Sequence, residues 1–173
     1  MTVQIVFETH STSEDNESGI GTGWFGGALS ALGRAQAREL GERRRDDGLT
    51  AVYCSDLQRA VETAEIAFAP RPVTLDWRLR ECDYGELNGM PRARLDGERA
   101  RRLDEPFPGG ESWRQAVARV GGFLDQLSGD RVLLIGHVAT RWALDHYLRG
   151  VPLEALVDEP FDWRPGWEYE VTA

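Results

Sequence analysis

The sequence predicts an α/β fold: a three-layer α/β/α sandwich around a mostly parallel central sheet. Three observations carry this. Short β-rich apolar runs alternate with longer stretches of helical periodicity. The run Arg131–Gly136 is apolar without alternation, which suits a central parallel strand covered on both faces. Polar residues able to do chemistry follow directly on such runs, and parallel sheets form sites at the carboxyl ends of their strands.

The elements follow in order. Val3–Phe7 reads as a buried strand, and a glycine-rich loop runs from Thr9 to Ala28. Ser30 can cap a helix that continues to Arg45, with Leu32 and Leu40 near one face. Ala51–Cys54 is a second strand. Ser55 at its end can cap the next helix, through Leu57, Val61, Ala64 and Phe68. Val73–Trp77 reads as a third strand, and Arg78–Gly89 as loop. A polar helix is expected over Arg92–Leu103, before the punctuation of Pro106, Pro108, Gly109 and Gly110. Glu111–Leu127 is helical, with Trp113, Val117, Val120 and Leu124 on one face. After Arg131–Gly136 and His137 comes a helix through Trp142, Leu144 and Leu148, and Trp167–Thr172 alternates as a closing strand.

Composition sets the outer bounds. The 173 residues fit one domain, 1–173, and 41% apolar content can fill its core. No apolar run approaches about 18 residues, so no membrane span is expected. The start MTVQIVFETH has no signal-peptide pattern, and a cytoplasmic location is the simplest expectation. A formal charge of −9 argues against a nucleic-acid partner, but not against a small anion held by a few focused arginines. Cys54 and Cys82 are too few for a disulfide framework and are not spaced as metal ligands; Cys54 reads as buried core.

The chain has three histidines, His10, His137 and His146. The first two close apolar strands, which points to a shared site at one sheet edge. His146 lies inside a helix and reads as a surface residue. Blander readings stand beside the functional ones. Arg59 on its own reads as a surface helix arginine, and Glu81 as part of an exposed charge cluster with Arg78, Arg80 and Asp83. Gly19, Gly21 and Gly23 resemble a dinucleotide fingerprint only in part, because they do not open a helix directly after a strand. Asn16-Glu17-Ser18 matches a glycosylation sequon, irrelevant to a cytoplasmic protein.

A set of motifs in order gives these residues a context. They are Thr9-His10-Ser11-Thr12-Ser13 with Asn16; Gly23-Trp24 before LSALGRAQA; Ser55 to Ala64, SDLQRAVETA; Leu79, Glu81, Gly85 and Gly89; PGGES from Pro108 to Ser112; and Gly136-His137. Together they resemble the histidine phosphatase superfamily, the phosphoglycerate-mutase-like proteins, over nearly the whole chain. The resemblance implies a phosphomonoester hydrolase with His10 as nucleophile and Glu81 as proton donor. Arg59 and His137 would bind phosphate, with Asn16, Thr9, Ser11 and Gly23 around them. It implies no metal and no cofactor, and as partner a small phosphorylated metabolite; a homodimer is one possible assembly. The stretch Arg80–Glu86 looks similar to small phosphatases of the α-ribazole-phosphate type. The short segment Gly89–Glu111 favours hydrolysis over mutase chemistry, which needs a cap against water.

The chain departs from the pattern at its first motif. Thr9 stands where the family has arginine, and Ser11 where it has glycine. Three readings follow: another arginine, Arg141 or Arg80, enters the pocket; the hydroxyls of Thr9 and Ser11 suffice; or catalysis is lost and the domain binds a phosphorylated ligand. Glu8, if it faced inward, would repel substrate or tune His10. Phe161, Trp163, Trp167 and Tyr169 make the C-terminus aromatic, read mainly as sheet-edge core and otherwise as a partner surface.

Overall fold

A computed structural model describes residues 2–172. In chain order the elements are β1 (Thr2–Thr9), α1 (Glu14–Glu17), β2 (Ile20–Gly21), α2 (Ala31–Arg43), β3 (Ala51–Cys54) and α3 (Gln58–Phe68). There follow β4 (Thr74–Leu75), β5 (Met90–Pro91), α4 (Arg92–Glu98), α5 (Trp113–Leu124), β6 (Arg131–Gly136), α6 (Val138–Arg149), α7 (Leu153–Leu156) and β7 (Trp167–Thr172). The main sheet has five strands in the order β4-β3-β6-β1-β7. β1, β3, β4 and β6 are parallel, and β7 closes the edge antiparallel to β1.

Side-chain alternation along the strands builds the three layers. Ile5 and Phe7 of β1, with Val132 and Leu134 of β6, face the α5–α6 layer. Val6, Val52, Cys54, Leu133 and Ile135 point the other way, into Leu40, Ala60, Ala64 and Phe68 of α2 and α3. Each of these fully buried aliphatic side chains contributes about 1.5–3 kcal/mol relative to exposure. Trp113 and Trp142, with ring centroids 4.4 Å apart, lock α5 to α6. Caps set the helix starts: Ser30 accepts from the Gly33 N–H, and Ser112 forms a capping box with Gln115.

Several local expectations are corrected. The glycine-rich loop holds α1, whose start is fixed by a Ser13–Asn16 capping box, and β2, which pairs with β5. The third strand is only Thr74–Leu75. Asp76 then accepts from the Arg78 N–H and opens a 3₁₀ turn over Trp77–Leu79. The polar helix splits into α4 and a 3₁₀ turn over Arg101–Leu103. Leu32 is 55% exposed, whereas Leu40 is buried. The two are eight residues apart, and the helical twist swings Leu32 off the core face. Ser55 is not a cap, because α3 begins after Leu57 and the Ser55 hydroxyl is engaged elsewhere. His146 is half-buried rather than on the surface, with Nδ1 2.9 Å from the Val151 carbonyl oxygen.

Glu8 does not face inward to the strand-end edge. Alternation on β1 turns it to the α2 side, where it is 2% exposed. Arg44 Nη2 lies 2.8 Å from its Oε1, and Arg43 Nη2 lies 3.2 Å from its Oε2. A carboxylate this deep depends on those partners. Arg44→Met should therefore cost on the order of 3 kcal/mol in urea unfolding, and Glu8→Gln in that background should recover part of it. A loss under about 1 kcal/mol would mean that Arg43 alone satisfies the charge.

Candidate active site

The site grows from the carboxyl ends of three adjacent parallel strands. β1 and β6 pair with Thr9 opposite Gly136, so His10 and His137 leave the sheet together. The His10 N–H continues the ladder to the Gly136 carbonyl at 3.0 Å, and the two imidazole centroids lie 5.1 Å apart. β3 ends beside them and leads through Ser55 to Arg59 on the first turn of α3. His10, Arg59, Glu81, His137, Thr9, Asn16 and Gly23 all line one cavity of about 390 Å³.

Each group is held. His10 Nδ1 lies 2.7 Å from the Ser11 carbonyl oxygen. A carbonyl only accepts, so Nδ1 carries the proton and the neutral ring keeps its lone pair on Nε2. Burial, and then the nearby Arg59 charge, push the His10 pKa down to about 3. Burial likewise holds His137 well below the usual histidine range, helped by Arg59 and His10. With no anion bound, His137 is thus neutral rather than an imidazolium. Its Nε2 lies 2.8 Å from Ser55 Oγ, which also accepts from the Leu57 N–H; its Nδ1 is buried without a partner.

Arg59 is 3% exposed and donates from Nη2 to the Gly23 carbonyl at 2.9 Å. Burial lowers its pKa, and the opposing charge of Glu81 is the largest offset. Gly23 has φ +57, and a Cβ there would run into Asn88 and Tyr84. Thr63 Oγ1 donates to the Arg59 carbonyl and accepts from the Ser11 N–H, tying α3 to the first loop.

Glu81 is buried and forms no ion pair among the described residues, so it does not belong to an exposed charge cluster. Its Oε1 accepts from the Cys82 N–H at 3.0 Å and the Ala139 N–H at 3.1 Å, while Oε2 takes only a 3.3 Å contact from the Val138 N–H. The carboxyl thereby sits on the N-terminus of α6. Its own carbonyl is gripped by Trp24 Nε1 and Arg119 Nη2. Arg119 in turn pairs with Glu111 at 2.7 Å.

Other expectations are corrected here. Neither Arg80 nor Arg141 lines the cavity: Arg80 forks onto Asp56, and Arg141 reaches Asp145 and Glu159. Ser11 does not line it either; its backbone orients His10 and meets Thr63. Asn16 does line it, with Oδ1 committed to the Ser13 N–H. Thr9 Oγ1 is buried without a partner.

The sequence reading missed Tyr84, Arg92, Asp96 and Arg99, and it placed Phe161 and Trp163 elsewhere; all six line the cavity. Arg92 and Arg99 are seven residues apart, and that spacing alone puts them on one helical face. Both lie near Asp96, at 3.7 Å and 3.3 Å; Arg92 is exposed, whereas Arg99 is largely buried, with its guanidinium over the Trp113 and Trp142 rings. Trp167 and Tyr169 are sheet-edge core, but Trp163 is 51% exposed at the cavity mouth. Among the described residues, no group of three or more His, Cys, Asp or Glu is placed to hold a metal ion, and no helix is long and apolar enough to cross a membrane.

Residues 5–162 match the histidine phosphatase superfamily, branch 1. The chain belongs to that family. A 2,3-bisphosphoglycerate-dependent phosphoglycerate mutase of Methylobacterium is 34% identical over 88% of this chain and 83% of its own length. Among solved structures, YhfR of Bacillus stearothermophilus superposes with a TM-score of 0.81 at 25% identity, covering 96% of this chain and 90% of that one. A mycobacterial glucosyl-3-phosphoglycerate phosphatase complexed with VO₃ gives a TM-score of 0.77 at 27% identity, over 89% and 85% of the two chains. As a histidine phosphatase the chain thus has both mutases and phosphatases among its relatives.

The low His10 pKa has a consequence for stability. The folded state keeps this ring unprotonated down to about pH 3, whereas an unfolded chain binds its proton near 6.5. Stability is full above pH 6.5 and declines as the pH falls toward 3. His10→Gln should flatten that acid limb in denaturant melts between pH 6.5 and 4, with little change at pH 8. An unchanged limb would mean that His10 takes up its proton in the folded state.

Proposed function

We propose that this histidine phosphatase is a metal-independent phosphomonoester hydrolase that works through a phosphohistidine on His10. The observation that carries the reading is His10 itself. Its Nδ1 is committed to the Ser11 carbonyl, so its free Nε2 belongs to the same cavity as Arg59, His137 and Glu81. A neutral imidazole is a good nucleophile, and a covalent intermediate divides one hard step into two easier ones.

In the first step His10 Nε2 attacks phosphorus in line as the ester P–O bond breaks. The electron pair leaves on the alcohol oxygen, which takes a proton from Glu81; that carboxyl enters the step in its acid form and gives the proton up from Oε2, the oxygen with the weaker fixed contact. In the second step water attacks the phosphohistidine, its proton returns to Glu81, and inorganic phosphate leaves with His10 restored. Arg59, pre-aimed by the Gly23 carbonyl, offers its remaining N–H groups to the phosphoryl oxygens. Thr9, Asn16 and His137 Nδ1 supply further polar contacts, and fixed donors of this kind need no metal to stabilise developing charge. A cavity of about 390 Å³ suits a small phosphorylated metabolite.

Mutase chemistry has a relative in its favour, since the Methylobacterium protein is a mutase. The half-exposed residues around the cavity mouth favour hydrolysis instead, because water that reaches a phosphohistidine removes the phosphoryl group before it can be returned.

The test is phosphate release from a panel of phosphomonoesters that includes p-nitrophenyl phosphate. Release should survive EDTA and disappear in His10→Ala; strong inhibition by EDTA, or full activity in the mutant, would sink the reading. Glu81→Gln should slow alkyl phosphates by about 10²–10⁴-fold and aryl phosphates far less, since a good leaving group needs no proton. Equal losses on both would remove Glu81 from the acid role.

A further inference from the structure

We propose that the phosphoryl group enters this site as a monoanion, and that Thr9 sets that preference. The inference rests on the hydrolase reading and concerns its substrate's charge.

The count of charges facing the phosphoryl position is short. The end of β1 contributes Thr9, and His10 directly follows it; neither is cationic in the empty site. The β6–α6 junction contributes neutral His137, and α3 contributes Arg59. The segment after the 3₁₀ turn brings Glu81 and Tyr84, and burial holds the Tyr84 phenol protonated. The first loop brings Thr12, Asn16 and Thr22, with Asp15 behind them accepting from the Thr22 hydroxyl. α2 brings only Gln36. Arg92 and Asp96 of α4 stand at the exposed end, while Arg99, just past α4, is largely buried over the Trp113 and Trp142 rings; Asp96 lies near both arginines. The other nearby charges are committed elsewhere: Glu8 to Arg43 and Arg44, Arg80 to Asp56, Arg119 of α5 to Glu111, Arg141 to Asp145 and Glu159. Among the described residues the cavity wall thus carries three guanidiniums, Arg59, Arg92 and Arg99, against two carboxyls, Glu81 and Asp96. The surplus is one positive charge, so a single negative charge is matched there and a second is not.

Thr9 adds a chemical reason. Its Oγ1 is buried, lacks a partner and belongs to the cavity wall. A hydroxyl both donates and accepts, so it can receive the hydrogen bond of a P–OH group, which a guanidinium cannot. His137 Nδ1 is a second buried atom without a partner. The proton carried in on the phosphoryl group can stay on oxygen or pass to that nitrogen; one proton enters in either case.

The experiment is kcat/KM against pH for p-nitrophenyl phosphate and n-butyl phosphate, read as phosphate release. The aryl ester loses its second proton at lower pH, because its oxygen is more electron-poor. Each profile should fall about tenfold per pH unit above its own substrate's second ionisation, so the two limbs should be displaced from each other. Thr9→Arg should remove the limb and raise the pH 8 rate relative to wild type by about tenfold or more. Limbs at one common pH would assign the fall to an enzyme group and overturn the proposal, as would a plateau through the second ionisation. If Thr9→Arg does not fold, the wild-type pair of profiles decides alone. If no ester is hydrolysed at any pH, the hydrolase reading fails, and calorimetric titration with inorganic phosphate decides the charge question separately. Binding that weakens about tenfold per unit above pH 7 keeps the monoanion preference, and pH-independent binding overturns it.

Discussion

The pairing of β1 with β6 is the constraint on which the rest of the site depends. Both strands are buried on both faces, and their register sets Glu8 against Ile135 and Thr9 against Gly136. A slip of one residue would reverse every side chain on β1. Glu8 would then turn toward the cavity and lose its two arginines, while Phe7 and Ile5 would leave the α5–α6 core. The register therefore does two jobs with one pattern of alternation. It buries the apolar residues, and it separates an acid that belongs with α2 from a hydroxyl that belongs to the cavity. Nothing in the loops has to specify that the two histidines meet.

What the loops do is hold single atoms still. Glu81 is gripped at its carboxyl by three backbone N–H groups and at its carbonyl by Trp24 and Arg119. Arg119 also accounts for the carbonyls of Arg78 and Arg80, so one buried side chain staples the whole approach to Glu81. Thr63 joins the Arg59 carbonyl to the Ser11 N–H, which couples α3 to the loop that orients His10. These contacts fix geometry before any ligand arrives, and such preorganisation lets fixed dipoles act on a transition state without reorganising.

The layer order, the central strand and the strand-end placement of His10 and His137 were legible because they follow from apolar runs and chain order. Arg59 and Glu81 were legible only through the motif context, since each alone reads as a surface charge. What was not legible depends on contacts between segments distant in sequence. Ser55 looked like a helix cap because caps are local; its nearness to His137 spans 82 residues and leaves no local trace. Arg80 and Arg141 were reasonable candidates by proximity to Glu81 and His137 in the chain, but Asp56 and Glu159 draw them away. Phe161 does pack against the core and the Trp167 ring of β7 as a sheet-edge residue would, but it also lines the cavity, and Trp163 stands at the cavity mouth because the chain passes over it before β7 begins.

The position of Glu81 on the α6 N-terminus bears on how this acidic protein manages an anion. A helix N-terminus with free N–H groups is a ready phosphate site. Here the first N–H groups of α6 are already satisfied by a carboxylate from within the chain. Under the proposed function a phosphoryl group would have to compete with Glu81 for that field, so its recognition would fall to side chains: the Arg59 guanidinium, the Thr9 hydroxyl and two neutral imidazoles. Those groups are sensitive to the protonation of their partner in a way that a helix dipole is not. Under the proposed function, a site built on them would discriminate by hydrogen-bond character as well as by charge.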